Sequence, residues 1–365
     1  LPLEKGKISG KQLTVLYITT IVASAVVFLP GVVAAKAQQD AWISSIIAAI
    51  TGFFLALLVL RLHSRFPEQN VIQYSRTILG KWPGLITGAG FAWFFIHINA
   101  VIIREFGAFL ATVLPETPPV VFMALIVLLS AYYVRNGLEV CCRIAEFYFP
   151  IFVLQVVVIV LLVVKEVRWQ LFEPILGAGW GPVIEGIFPP VMWFGEVITM
   201  SMILPYLHDK SQAARSLFLG VLLAGILFFL ASFFTIGVFG GDLTANLNFP
   251  VFELARTISI AQFLERVDAV LMSFWVAGGV IKITTFNYCA VLGTAQLLNL
   301  SDYKPIILPL AVIQVFMALT GWENVGQLKY FINDIIAPYS LILFEGGIPL
   351  MLLVIARIRR LGVTK

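Results

Sequence analysis

Long apolar runs separated by short polar or charged breaks make up almost the whole chain. A membrane-spanning helix needs about 20 mostly apolar residues, and ten runs approach or exceed that length: 12–36, 41–62, 84–113, 119–135, 144–164, 183–206, 214–239, 267–298, 305–320 and 335–356. The composition agrees: 60% of the 365 residues are hydrophobic, 12% are charged and the mean hydropathy is +0.97, which excludes an ordinary soluble domain. The pattern predicts an all-α polytopic membrane protein with ten transmembrane helices, built as a single transmembrane domain over 1–365.

Basic residues between the runs set the orientation, because loops rich in Lys and Arg stay on the cytoplasmic side. With the N-terminus inside, sixteen of the 24 Lys and Arg fall on inner segments. Six fall outside, at Lys36, Lys165, Arg168, Arg256, Arg266 and Lys329, while Arg104 and Lys282 lie within helices. Both termini are therefore expected in the cytoplasm, and the net charge of +4 becomes a topology signal with no call for nucleic acid. Lys5, Lys7 and Lys11 precede the first run as they would in a signal peptide, but the run is too long for one and contains Pro30-Gly31. The start at Leu1, without an initiator Met, points to a cloning scar or a trimmed end. Cys141, Cys142 and Cys289 form neither a disulfide framework nor a metal spacing.

Two runs that correspond in order, the first and the sixth, carry helix breakers. The first holds FLPG (Phe28, Leu29, Pro30, Gly31) and the sixth holds FPPVMWFGE, from Phe188 to Glu196. Proline removes a backbone donor and crowds the preceding turn, so both helices are expected to be broken. Ten spans then divide into halves of about 12–164 and 183–356. Five is odd, so the second half enters from the opposite side, which is the inverted repeat of secondary transporters with a midplane site.

Ionisable residues within spans are costly and tend to face the bundle interior. His97, Glu196, Lys282 and Glu345 all fall near the centres of their spans. Opposite charges at one depth predict a network of Glu196, Lys282 and Glu345, with Lys282 paired to one of the two carboxylates. Thr284 and Tyr288 are spaced i, i+4 and share a helical face, and Trp193, Phe194 and Gly195 adjoin the break in span 6. A ligand site is thus expected from Phe28 to Gly31, His97, Trp193 to Glu196, Thr284 and Tyr288. Arg104 and Glu105, being adjacent, should find separate partners near the outer surface. Trp42, Trp82 and Trp322 read as interface anchors.

Two longer outer loops remain. Residues 165–182 place Trp169, Phe172 and Trp180 at headgroup depth, and 240–266 hold a helix after Pro250, with Phe252, Ala255, Ile258 and Phe263 on one face, suited to a lid or an interfacial helix. The chain has no P-loop, no metal-ligand cluster and no hydrolase triad among its three scattered histidines. No enzyme activity, cofactor or metal is expected.

The stretches KISGKQ (Lys7 to Gln12), FPVFELAR (Phe249 to Arg256) and ISIAQFLERVDAVLMSFWVAGGVIKI (Ile258 to Ile283) resemble the B subunit of spore nutrient germinant receptors, a family within the amino acid/polyamine/organocation transporter superfamily. The resemblance covers essentially the whole chain. It implies a LeuT-like 5+5 fold with broken helices 1 and 6, and a site for a small nutrient, commonly an amino acid, between spans 1, 3, 6 and 8. It also implies a complex with an A subunit and a lipoprotein C subunit in the spore inner membrane, in contact with membrane lipid. One departure stands out: amino-acid permeases carry a G-x-G break in span 1, where FLPG has only Gly31.

Overall fold

Ser9 opens the first helix by closing a capping box: its hydroxyl accepts from the Gln12 amide at 3.2 Å, and the Gln12 side chain accepts from the Ser9 amide at 3.0 Å. The computed structural model describes residues 3–257 and 267–362. Within them the chain runs through α1 (Gly10–Ala37), α2 (Ala41–Arg65), α3 (Val71–Leu79), α4 (Lys81–Val113), α5 (Pro119–Arg135), α6 (Leu138–Val163), α7 (Trp180–Glu185), α8 (Phe188–Gly195) and α9 (Met200–Ile203). It continues with α10 (Ala213–Phe239), α11 (Gly241–Asn246), α12 (Pro250–Arg256), α13 (Val267–Leu297), α14 (Lys304–Thr320), α15 (Val325–Tyr330), α16 (Ala337–Tyr339) and α17 (Gly347–Ile358).

Among the described residues, seven helical stretches are long and apolar enough to cross a membrane by length and composition. One of these, Gly10–Arg65, contains both α1 and α2, and two shorter apolar helices, Pro119–Arg135 and Lys304–Thr320, lie at the remaining expected positions. The molecule is an integral membrane protein, and its described helices follow the order of the apolar runs, with seven of the stretches meeting the spanning length. The short helix α3 was not anticipated. It lies across the end of the bundle that bears Gly10, here termed the N-terminal face, and starts at an Asn70–Gln73 capping box.

The breaks differ from expectation in an informative way. Span 1 is not broken: α1 carries Pro30 inside a continuous helix. A proline in a buried transmembrane helix is tolerated where neighbours and local adjustment absorb the missing bond. Gly31 then allows close contact with the far-face segment, since a methyl at that position would lie 3.1 Å from Pro250 and 3.2 Å from the carbonyl oxygens of Thr244 and Leu247. Span 6 is interrupted twice. Pro189 and Pro190 occupy the first turn of α8, where a missing amide costs little, so they end α7 and start a new helix after the Gly186–Ile187 turn. The second interruption is a 3-10 turn over Glu196–Thr199. Span 10 also departs from a simple helix, with π-helical turns at Phe331–Ile336 and Ser340–Glu345 on either side of α16. Such turns are uncommon and concentrate at functional sites.

α1 is the central element, packed along α10, α13 and α6, while α4 packs on α13, α14 and α5. At the far face, α11 and α12 fold over the end of α1. Phe249 stacks edge-on to Phe28 (5.2 Å between centroids) and Phe109 (5.0 Å), and Phe109 meets Trp275 at 4.5 Å. The expected helix after Pro250 forms as α12, and the expected continuation through Ile258 and Phe263 lies outside the described residues. The 165–182 loop is fastened to the far face rather than lying free. Arg168 donates to the Val238 carbonyl at 2.7 Å, and Asp40 accepts the Leu176 amide at 3.1 Å. Of the expected anchors, Trp82 is exposed, whereas Trp322 is buried against Phe331 and Trp42 packs edge-on to Phe229.

Candidate functional site

The 3-10 turn at Glu196 aims its carboxylate into the bundle centre, where Lys282 reaches it from the middle of α13. Lys282 Nζ donates to Glu196 Oε1 at 2.6 Å and to Oε2 at 2.8 Å, and both residues are almost wholly buried. Glu345, at the end of the second π-helical turn, approaches from span 10 and is also buried. Its closeness depends on Gly195, because a methyl at that position would overlap the Glu345 carboxylate. A third carboxyl group completes the cluster: Glu105 of α4 is 3% exposed and lies against the Ser24 hydroxyl of α1.

Ser24, Glu105, Trp193, Glu196, Ser340 and Glu345 line a cavity of about 20 Å³ shared by spans 1, 3, 6 and 10. That volume holds about one water molecule. Glu345 Oε2 is buried there with no hydrogen-bond partner among the described residues. One ammonium thus faces three carboxyl groups away from water. Taking an ion out of water costs several kcal/mol, roughly, unless it is paired. Lys282 and Glu196 satisfy each other, so the remaining capacity of the cluster is for a proton donor or a cationic group.

The structure brings some expected site residues together and separates others. Trp193, Glu196 and Glu345 line the cavity, and Lys282 joins them through its ion pair with Glu196. Phe194 points elsewhere, against Gly52 and Phe228, while its carbonyl accepts from Tyr17 at 3.4 Å. Phe28 belongs to the aromatic contacts at the far face, and Leu29, Pro30 and Gly31 are buried near the far end of α1. His97 stacks on Trp93 at 5.6 Å and meets Phe331 and Tyr339 edge-on, beside a separate pocket formed with α14 and α15 residues. The Thr284 hydroxyl donates back to the Val280 carbonyl at 2.7 Å. Tyr288 lies toward the N-terminal face, donating to Glu4 at 3.4 Å. Arg104 and Glu105 do find separate partners, but only Arg104 stays near the far face, on the Glu323 carbonyl. The expected outer position of Glu105 is corrected: it enters the central cavity. Among the described residues no group of three or more His, Cys, Asp or Glu could hold a metal ion.

This arrangement belongs to the LeuT-like class of transporter folds. The chain superposes on Mhp1, a nucleobase-cation-symport-1 family transporter in a closed conformation with bromovinylhydantoin bound, with a TM-score of 0.71 at 15% identity, covering 96% of this chain and 79% of that one. MhsT in complex with L-phenylalanine gives a TM-score of 0.70 at 10% identity over 97% and 96% of the two chains. At such identities these likenesses define the fold alone. Residues 7–324 match the family model described as spore germination protein, and the chain belongs to that family. It is 28% identical to spore germination protein KB of Bacillus subtilis over 97% of this chain and 95% of the relative, and 24% identical to spore germination protein YndE of the same organism over 98% of each. Family and fold together indicate a membrane protein that is not an enzyme.

Proposed function

We propose that this chain is the nutrient-binding subunit of a spore germination receptor, and that it senses a small molecule, an amino acid first, at the Glu105–Glu196–Lys282–Glu345 cluster. The observation that carries the proposal is the unpartnered Glu345 carboxylate oxygen beside a paired Lys282, buried at the interrupted span 6. An amino acid suits that chemistry. Its ammonium would meet Glu345 and Glu105, and its carboxylate would compete with Glu196 for Lys282. MhsT is seen in complex with L-phenylalanine and Mhp1 with bromovinylhydantoin, so the fold accommodates small organic ligands. The basic-residue bias supports cytoplasmic termini, and the family supports the spore inner membrane and a complex with A and lipoprotein C subunits. Residues 1–365 would act as one transporter-like domain with halves of about 12–164 and 183–356.

A cavity of about 20 Å³ is too small for any amino acid, so the conformation seen is closed and binding requires an opening. A ligand drives that change only through different affinities for the two states. The excess of carboxyl groups favours one alternative, a proton-coupled amino-acid transporter. A thermal-shift screen of the purified chain against amino acids, sugars and nucleosides should show stabilisation by at least one amino acid. At a concentration of about 100 times Kd the gain is about 2.7 kcal/mol. Stabilisation only by sugars or nucleosides would remove the amino-acid assignment. Sustained proton-driven accumulation in vesicles holding this chain alone would replace the sensor by the transporter.

A further inference from the structure

We propose that residues 3–12 form a latch that holds the N-terminal face of the site shut, with the Glu4 carboxylate as its catch. This proposal deepens the ligand-site reading above and rests on it for its regulatory meaning. Glu4 is only 9% exposed although it lies in a segment with no helix of its own. Its Oε1 accepts from the Lys5 and Gly6 amides at 2.8 and 2.7 Å, which fixes the turn. Its Oε2 accepts from the Leu138 amide at 3.1 Å, the Tyr303 hydroxyl at 3.3 Å and the Tyr288 hydroxyl at 3.4 Å. One carboxylate therefore joins the start of α6, the lead-in to α14 and the lower part of α13.

The rest of the segment is stitched down by polar bonds. Ile8 forms an isolated parallel bridge with Leu207: its amide donates to the Tyr206 carbonyl at 3.0 Å, and its carbonyl accepts from the His208 amide at 2.9 Å. The Lys7 amide donates to Glu139 at 3.0 Å, and Lys11 pairs with Glu146 at 2.7 Å. The tied elements are those that build the site. Tyr206 to His208 end the interrupted span that carries Glu196, and Tyr288 lies less than two turns below Lys282 on α13. Separating span 6 from α13 at this face requires the Glu4 contacts and the Ile8 bridge to part. Glu4 also borders a vestibule of about 750 Å³ with Lys5, Lys7, Arg76 and Asn299, so the catch can be reached from the aqueous side. Ile8 is buried in the core and Leu3 packs against it, so the segment seats by apolar contact as well, and the polar bonds are what fix its register.

The native thiols report on the latch without any ligand. Cys141 and Cys142 are buried on α6 one turn beyond the Leu138 amide that Glu4 holds. The measurement is the rate at which a maleimide modifies them in the purified full chain, with each site resolved by peptide mass spectrometry. Hydrogen bonds to an ionised group are strong enough that Glu4→Ala should raise the rate about tenfold or more, and Tyr303→Phe should raise it by a smaller factor. Arg256→Ala, which removes an exposed ion pair with Glu253 at the far face, should leave the rate at the wild-type value. If Glu4→Ala does not fold, Tyr303→Phe carries the test alone. Wild-type rates in the folded variants would overturn the latch while leaving the ligand reading intact. Faster modification in a chain that binds no small molecule would overturn the ligand reading and leave the latch standing.

Discussion

Lys282→Ala is expected to be the most damaging single substitution in the membrane core. Lys282 is fully buried and is the only basic group bonded to Glu196 in the described structure. Truncating it leaves Glu196 beside Glu345 and Glu105 with no cation among them. Breaking one half of a buried pair costs about 3–5 kcal/mol, so the melting midpoint in detergent should fall steeply and the chain should accumulate poorly in membranes. The pair is not required for stability as such. Replacing both partners by apolar residues of similar size is often neutral or better, and Lys282→Met combined with Glu196→Leu should recover most of the loss. That recovery would be non-additive, as expected for residues in contact. A double variant no more stable than Lys282→Ala would show that the two residues do not act as a pair.

The second large effect is expected at Gly195. This glycine precedes the 3-10 turn, and a methyl there would collide with the Glu345 carboxylate. Gly195→Ala should therefore displace Glu345 from the cavity, at an overpacking cost of about 1–3 kcal/mol. Because Glu345 leaves, ligand response should be lost even where the protein still folds. A smaller partner at the contact should compensate, so Gly195→Ala with Glu345→Asp is expected to regain both stability and part of the response. A Gly195→Ala chain with wild-type dose dependence would separate Glu345 from the site. The π-helical turn ending at Glu345 gives this contact a mechanical side. Its return to α-helical winding would rotate Glu345 away from Gly195, so span 10 is suited to move when the site fills.

Depth along each span was legible in the sequence, and helix rotation largely was not. The Glu196–Lys282 pairing follows from opposite charges at one depth. His97 shares that depth yet faces an aromatic enclosure outside the cavity, because its helix presents another face there. Glu105 shows the same effect in reverse. Adjacent residues on a helix point about 100° apart, so Arg104 stays near the far face while Glu105 enters the core. The signal that could have found it was local: Ile98, Ile102 and Glu105 follow i, i+4, i+7 spacing, and all three line the cavity.

Proline gave a different lesson. Its effect depends on position in the helix: Pro189 and Pro190 start a helix after a turn, whereas Pro30 lies within one that continues. Tyr288 does share a helical face with Thr284, but its added length carries the hydroxyl to Glu4, and nothing in the local sequence marks that distant partner. The π-helical turns of span 10 leave little trace in a uniformly apolar run, since they arise from tertiary packing.

Equilibrium binding of labelled amino acids to the purified chain, comparing wild type with Glu345→Gln and Glu105→Gln, tests the proposed site most directly. Wild type should bind at least one amino acid saturably. Losing a charged partner for the ammonium should weaken that binding about tenfold or more in Glu345→Gln while the variant remains folded. Saturable binding of equal affinity in the wild type and both variants would contradict the assignment of the acidic cluster as the ligand site.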